Sequence, residues 1–66
     1  MQQSYRYMVD ISCDPDANPK LVSYTITCED GKILESGSYS NAQFVVAAIG
    51  TMILADAAAK TFPIKI

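Results

Sequence analysis

The sequence predicts an α+β fold in which a three-stranded antiparallel β-meander carries one long helix on one face, followed by a short C-terminal edge strand (β-β-β-α-β). Three observations lead to this prediction: two segments alternate apolar and polar residues, an Asp-Gly pair separates two strand-like segments, and residues 41–55 carry no charged side chain. The chain has 66 residues, half of them apolar, which fits a single domain spanning residues 1–66.

The first two strands follow from period-2 alternation of aromatic and β-branched residues. They are "SYRYMVDISC" (4–13) and "LVSYTITC" (21–28), and the intervening "DPDANPK" (14–20) is typical of a loop because it is rich in Pro and Asx residues. The alternation turns one set of side chains toward a core, namely Tyr7, Val9, Ile11, Tyr24 and Ile26.

The segment "EDGK" (29–32) predicts a two-residue hairpin turn, since Asp30-Gly31 suits the positive φ angles of a type I′ turn. A weaker third strand, "ILESGSY" (33–39), follows it. Such a turn sets Cys28 opposite Ile33, Ile26 opposite Glu35, Glu29 facing Lys32, and Thr27 opposite Leu34 on the exposed face. This register brings the Glu35 carboxylate to the core side. Either Glu35 lies at the sheet margin, or the turn has three residues and a bulge.

Ser40 and Gln43 have the spacing of a capping box, which predicts a helix from Ser40 to about Lys60. At 100° per residue, one side of this helix gathers the large apolar residues expected in the core: Val45, Val46, Ile49, Met52 and Ile53. Asp56 and Lys60 continue that side with i,i+4 spacing and are expected to pair. The alternation in "TFPIKI" (61–66) predicts the terminal strand, and Pro63 restricts it to a sheet edge.

The opposite side of the helix is small and uncharged, so it is either an Ala-rich solvent face or a contact face for another chain. The candidate partner-binding residues on this side are Phe44, Ala47, Thr51, Leu54 and Ala55. A homodimer of antiparallel helices is the simplest assembly, because two-fold dimers are the commonest oligomers. The exposed sheet face is a second candidate, and its acidic residues suit a protein with a basic surface: Asp10, Asp14, Asp16, Glu29 and Asp30.

Several kinds of site are not expected. Cys13 and Cys28 fall roughly 20 Å apart along the predicted hairpin at ~3.3 Å per residue, too far for a disulfide, so we expect two reduced thiols. The chain has no His to complete a zinc site or to activate a Cys nucleophile. The segment "DPDANP" (14–19) has Asx residues at the first, third and fifth positions of a calcium loop, but Pro19 and Thr25 occupy its sixth and twelfth positions. The sequence predicts no catalytic residues, no metal and no cofactor.

The charge balance is mildly acidic, with a net charge of −2 and a pI near 4.6. The five cationic residues are scattered, so direct nucleic-acid binding is not expected. The N-terminal segment "MQQSYRYMVD" lacks the apolar core of a signal peptide, and the apolar run 44–55 is shorter than a bilayer-spanning helix. We therefore expect a cytoplasmic protein without a membrane partner.

A three-strand meander followed by "GSYSNAQFVVAAIG" (37–50) resembles the double-stranded-RNA-binding-domain fold. That family places lysines at the start of this helix, where the present chain has Asn41, Ala42 and Gln43, so the RNA-binding residues do not carry over. In size, acidity and layout the chain also resembles small phage-encoded inhibitors of host defence, such as anti-CRISPR proteins. This second resemblance implies a protein that binds a host protein and blocks one of its functional sites.

The leading hypothesis is a non-enzymatic protein-binding module that acts by occluding a partner surface. The second resemblance implies a phage-type inhibitor of a host defence complex such as CRISPR-Cas, acting in the cytoplasm of a bacterial host. The alternative is a structural homo-oligomerisation module that uses the small-residue side of the helix. A third hypothesis is a divergent nucleic-acid-binding domain, which predicts an affinity that falls steeply with salt.

Overall fold

The computed structural model describes residues 3–62, which form a three-stranded antiparallel sheet with one helix packed on it. The elements are β1 (Tyr7–Cys13), β2 (Val22–Cys28), β3 (Ile33–Tyr39) and α1 (Ala42–Thr61), and β2 is the central strand. The predicted α+β arrangement of a meander and one long helix is confirmed. The predicted C-terminal strand falls largely on residues 63–66, which lie outside the described residues.

β1 and β2 pair along their full length, from Tyr7 opposite Cys28 to Cys13 opposite Val22. The two cysteines therefore lie at opposite ends of the ladder, as the alternation predicted. Both are free thiols, with Cys13 exposed and Cys28 half-buried.

The β2–β3 turn has three residues, so the predicted two-residue type I′ turn is wrong. The Gly31 amide donates to the Cys28 carbonyl (2.9 Å), and the Cys28 amide donates to the Lys32 carbonyl (2.8 Å). Gly31 has φ +91, the left-handed conformation of the glycine in a G1 bulge. Cys28 consequently pairs with Lys32 and not with Ile33, and Glu29 lies within the turn and does not face Lys32.

A second irregularity in β3 turns Leu34 inward. Ile26 lies opposite Glu35 as predicted, but Thr27 lies opposite Ile33, so Leu34 is an extra, bulged residue. Ile33 is 61% exposed as a result, whereas Leu34 packs against the core. Glu35 is half-buried on the core side of this edge strand. Both alternatives that the sequence left open therefore apply: the turn has three residues, and Glu35 lies at the sheet margin.

The buried part of the described core is small and consists of Tyr24, Ile26 and Val45, of which Ile26 is fully buried. The half-buried side chains around it come from all four elements: Tyr7, Val9, Val22, Leu34, Ala48, Ile49, Met52 and Ile53. α1 packs mainly on β2 and β3. Two predicted core residues are therefore wrong: Ile11, at the uncovered end of β1, is 60% exposed, and Val46, on the flank of α1, is 71% exposed.

α1 begins after an Asn41 cap, whose side-chain oxygen Oδ1 accepts the Gln43 amide at 2.9 Å. The predicted capping box on Ser40 is wrong by one residue, because Asn serves as an N-cap as well as Ser does. The helix ends at Thr61, one residue beyond the expected Lys60, and the Lys60 cation in the last turn complements the helix dipole.

Candidate protein-interaction surface

One side of α1 points away from the sheet and is apolar and exposed. We call it the outer face of α1, and it comprises Phe44, Ala47, Thr51, Leu54, Ala55 and Ala58 together with the C-cap residue Phe62, which lines one depression with Ala55 and Ala58. Its three large residues, Phe44, Leu54 and Phe62, are 58%, 71% and 73% exposed. The five residues that the sequence predicted for partner binding on the helix all lie on this exposed side.

The position of the outer face follows from helical geometry. Its residues fall within roughly 100° around the axis, opposite the Val45 side that packs on the sheet. They cannot reach the core while Val45 is buried. Since residues 42–55 include no charged side chain, this face of the helix is apolar where a surface helix normally has its polar face.

α1 is long and apolar enough, by length and composition, to cross a membrane. It reaches this length because the Ala-rich turns after the apolar run 44–55 extend the helix to 20 residues. The sequence-based expectation considered only the shorter run. Core helices that are mostly buried can have the same composition, whereas only 6% of the apolar window of α1 is buried. The inner side of α1 packs on β2 and β3, with Val45 buried.

At the N-terminal end, the outer face borders an open groove of about 520 Å³ between α1 and β3. Aromatic rings form its wall: Tyr39 stacks on Tyr24 at 6.2 Å between centroids, and Phe44 meets Tyr39 edge-on at 6.0 Å. Glu35 also lines the groove and accepts a hydrogen bond from the Tyr24 hydroxyl at 3.1 Å. The Phe44 ring is thus held in place on a supported aromatic wall.

Burial and the adjacent Glu35 carboxylate raise the pKa of Tyr24 to about 12. The phenol therefore stays protonated at neutral pH and continues to donate its hydrogen bond to Glu35. The groove consequently contains one carboxylate among apolar and aromatic walls.

The C-terminal half of α1 is fixed to β1 by a cluster of polar side chains. The Tyr7 hydroxyl donates to Asp56 Oδ2 at 2.6 Å, and Lys60 Nζ lies 2.8 Å from the same oxygen, which confirms the predicted Asp56–Lys60 pair. Lys60 Nζ also lies 5.4 Å from the ring centroids of Tyr5 and Tyr7. These contacts hold the inner side of the helix against the sheet.

The protonation states in this cluster favour the same contacts. The Lys60 ammonium, and secondarily the Tyr7 hydroxyl, hold the pKa of Asp56 below its usual value. The Asp56 carboxylate in turn raises the pKa of Lys60 and of Tyr7. Because the pKa of Tyr7 is raised, its hydroxyl stays protonated at neutral pH and keeps donating to Asp56, so the cluster acts as a structural clamp.

The acidic residues proposed for partner binding lie in three separate places. Asp14 and Asp16 lie in the β1–β2 loop, where Asp14 Oδ1 accepts the Asp16 amide at 3.0 Å. Glu29 and Asp30 lie in the turn at the opposite end of the sheet, where Asp30 Oδ1 accepts the Lys32 amide at 3.0 Å. Asp10 is exposed within β1. Within residues 3–62 no group of three or more His, Cys, Asp or Glu side chains could hold a metal ion.

Some exposed apolar residues were not anticipated. Phe62 follows the last residue of α1 as its C-cap. An ideal helical projection continued two residues beyond Lys60 would have placed it in line with Phe44. Ile33, which is 61% exposed, lies opposite Thr27 on β2. The exposure of Ile33 depends on the Leu34 bulge, for which the sequence gives no local signal.

No protein-family model, curated protein or solved structure matches this chain. What the chain does is therefore inferred from its own side chains.

Proposed function

We propose that this chain is a non-enzymatic protein-binding module whose outer face of α1 covers, and so occludes, an apolar surface of a partner protein. The observation that carries this proposal is the contrast between core and surface. Three apolar side chains are buried among the described residues, and one of them fully, while Phe44, Leu54 and Phe62 are each more than half exposed on the outer face.

The energetics favour a covered face. Burying a large apolar side chain is worth about 1.5–3 kcal/mol, so these three residues represent several kcal/mol of gross stabilisation. A chain of 66 residues has a total stability of only about 3–10 kcal/mol at ~0.05–0.15 kcal/mol per residue. Domains this small commonly gain stability from a partner chain.

The partner surface should be apolar at its centre and can be basic at its rim. The outer face is uncharged through Ala55, so it offers no ion pairs at its centre. Beyond it, three carboxylates and two ammonium groups border one open depression, namely those of Glu29, Asp30, Asp56, Lys32 and Lys60. A basic residue at that rim would therefore meet more carboxylate than ammonium groups, although such peripheral pairs contribute little affinity.

The proposed biological setting comes from the resemblance in size and layout to phage-encoded inhibitors of host defence. In that setting the chain acts in the bacterial cytoplasm by blocking a functional surface of a host protein. Homo-oligomerisation is the second candidate and would use the same outer face. Nucleic-acid binding has less support, since the face that lacks a partner carries no Lys or Arg among residues 42–59.

Site-specific photo-crosslinking in cells that produce the chain tests the proposal. A photoreactive residue in place of Leu54 should give a crosslinked protein product of defined mass, and Ala47→Glu in the same chain should abolish it. The matched control places the photoreactive residue at Ser36, which is exposed on β3 away from the helix. No product from position 54, or equal products from both positions, would refute the proposed function.

A further inference from the structure

The outer face has a regular order of large and small residues along the helix. Five of its residues and the last helical residue are spaced alternately three and four positions apart, which is the a/d repeat of a coiled coil. These six residues are Phe44, Ala47, Thr51, Leu54, Ala58 and Thr61. All six are exposed. We call this row the seam. A 3.5-residue repeat on an exposed helix face is the pattern by which one helix packs along another.

Resting on the second candidate function, homo-oligomerisation through the outer face, we propose that the surface covering the seam is the seam of a second copy of this chain, packed antiparallel. In an antiparallel pair each a residue faces a d residue of the other helix. The layers then run Phe44 on Thr61, Ala47 on Ala58 and Thr51 on Leu54, and the same three layers repeat in reverse order beyond the two-fold axis. Each large side chain of the seam faces a small one, and the Ala47–Ala58 layers on either side of the central layers allow close approach.

The parallel alternative fits poorly. It would set Phe44 against Phe44 and Leu54 against Leu54, and these large-on-large layers would hold the helices apart at the small layers between them. Facing positions pack to native density when large and small residues alternate across them. The order of side chains along the seam therefore distinguishes the two orientations.

The charges on α1 permit two copies to meet. Asp56 and Lys60 pair with each other and with Tyr7 on the side that faces the sheet, away from the seam. The seam itself contains no ionisable side chain, so self-association brings no like charges together. A two-fold axis makes such an interface complementary to itself, as in most homodimers.

The exposed area is sufficient for a small interface. At about 200 Å² per aromatic side chain, the exposed fractions of Phe44 and Phe62 leave roughly 250 Å² of aromatic surface in water. With Leu54 and the small side chains between, the outer face offers on the order of 500 Å² in each chain. Two copies would bury on the order of 1,000 Å², which is near the lower limit for a specific protein interface.

A bilayer would compete for the same face, but spanning it requires lipid on every side of the helix. α1 would then have to leave the sheet, which would expose Ile26 and break the contact of Asp56 with Tyr7. A second copy covers the outer face while the core side stays packed. The antiparallel pair thus satisfies both sides of α1.

A charge-pair experiment tests the inference, with mass measured by size-exclusion chromatography and light scattering over a concentration series and folding checked by circular dichroism. The wild-type chain should show a concentration-dependent mass approaching twice the 7.2 kDa of one chain. Ala47→Glu alone and Ala58→Lys alone should each give monomers. The double variant Ala47→Glu/Ala58→Lys should recover the dimer, because these positions face each other only in the antiparallel pair, whereas Ala47→Glu/Ala58→Glu should stay monomeric.

The outcomes separate this inference from the proposed function. A wild-type monomer at every concentration overturns self-pairing, although crosslinking of Leu54 to another protein would leave the proposed function intact. A dimer that the opposite-charge pair does not restore overturns the antiparallel arrangement. Flotation of the wild-type chain with phosphatidylcholine vesicles would show that lipid covers the face and would overturn the inference as well.

Discussion

Replacing Ile26 with Val removes one methylene from the most buried side chain among the described residues. Ile26 is 0% exposed and packs with Tyr24 and Val45 in the centre of the core. An Ile-to-Val change in a packed core costs about 0.5–1.5 kcal/mol, and we expect the upper half of that range because few neighbours are available to close the gap. Ile11→Val is the matched control, since Ile11 is 60% exposed in the same sheet.

Urea unfolding followed by far-ultraviolet circular dichroism measures both changes. With a slope of about 1 kcal/mol per M for so small a chain, Ile26→Val should lower the midpoint by roughly 1 M. Ile11→Val should shift it by less than half as much, and all chains should be compared at one concentration, because self-association stabilises the fold by mass action. Equal shifts at the two positions would refute the placement of the core beneath α1.

Three further outcomes follow from individual contacts. Gly37→Ala should lower the free energy of unfolding by about 1 kcal/mol in urea titrations. The reason is that a Cβ at this position would lie 3.1 Å from the Tyr24 hydroxyl and 3.3 Å from its ring. An unchanged free energy of unfolding would show that the ring is free to move. Folding lowers the pKa of Asp56, so its contribution to stability is present above the unfolded pKa of about 3.9 and is lost as the pH falls through the folded pKa. The Asp56→Asn variant should therefore lose less stability on acidification than the wild type. Parallel acid-unfolding curves for the two chains would contradict this. Folding raises the pKa of Tyr24 to about 12, so its contribution to stability is complete below the unfolded pKa of about 10 and is lost as the pH rises toward 12. The free energy of unfolding of Tyr24→Phe should therefore fall less between these pH values than that of the wild type. An unchanged pH profile would count against the buried phenol.

The layout of the fold could be predicted from the sequence because its signals are local. Period-2 alternation identified β1 and β2, and helical projection separated the Val45 side of α1 from the Phe44 side. Those patterns depend on residues a few positions apart. The same projection placed Phe44, Ala47, Thr51, Leu54 and Ala55 on one side of the helix, and in the structure that side is exposed.

The features that the sequence did not predict depend on contacts between elements. Asp30-Gly31 is compatible with turns of two or three residues, and packing of Leu34 on the core accompanies the longer turn and the bulge. The position of α1 over β2 and β3 decides that Ile11 and Val46 are exposed, although each fits an apolar stripe in its own element. Local periodicity contains no information on where a helix crosses a sheet.

The dispersed acidic residues have a topological cause. The two connections of a β-meander lie at opposite ends of the sheet, so Asp14 and Asp16 are separated from Glu29 and Asp30 by the length of β2. The sequence placed them in loops but did not bring them together, and neither does the fold. This leaves the outer face of α1 as the surface on which the predicted binding residues are contiguous.

The claim that another protein chain covers the outer face is tested most directly by fluorine NMR of the two phenylalanines. Phe44 and Phe62 are the only Phe residues in the chain, and both belong to the outer face, so 4-fluorophenylalanine labels this surface alone. The measured quantity is the difference in ¹⁹F chemical shift between H₂O and D₂O, which reports contact of the ring with solvent. At high concentration the wild-type chain should show a reduced difference at both rings compared with the Ala47→Glu variant. Full solvent contact at both rings at every concentration, matching that of the variant, would contradict coverage of this face by a second copy of the chain.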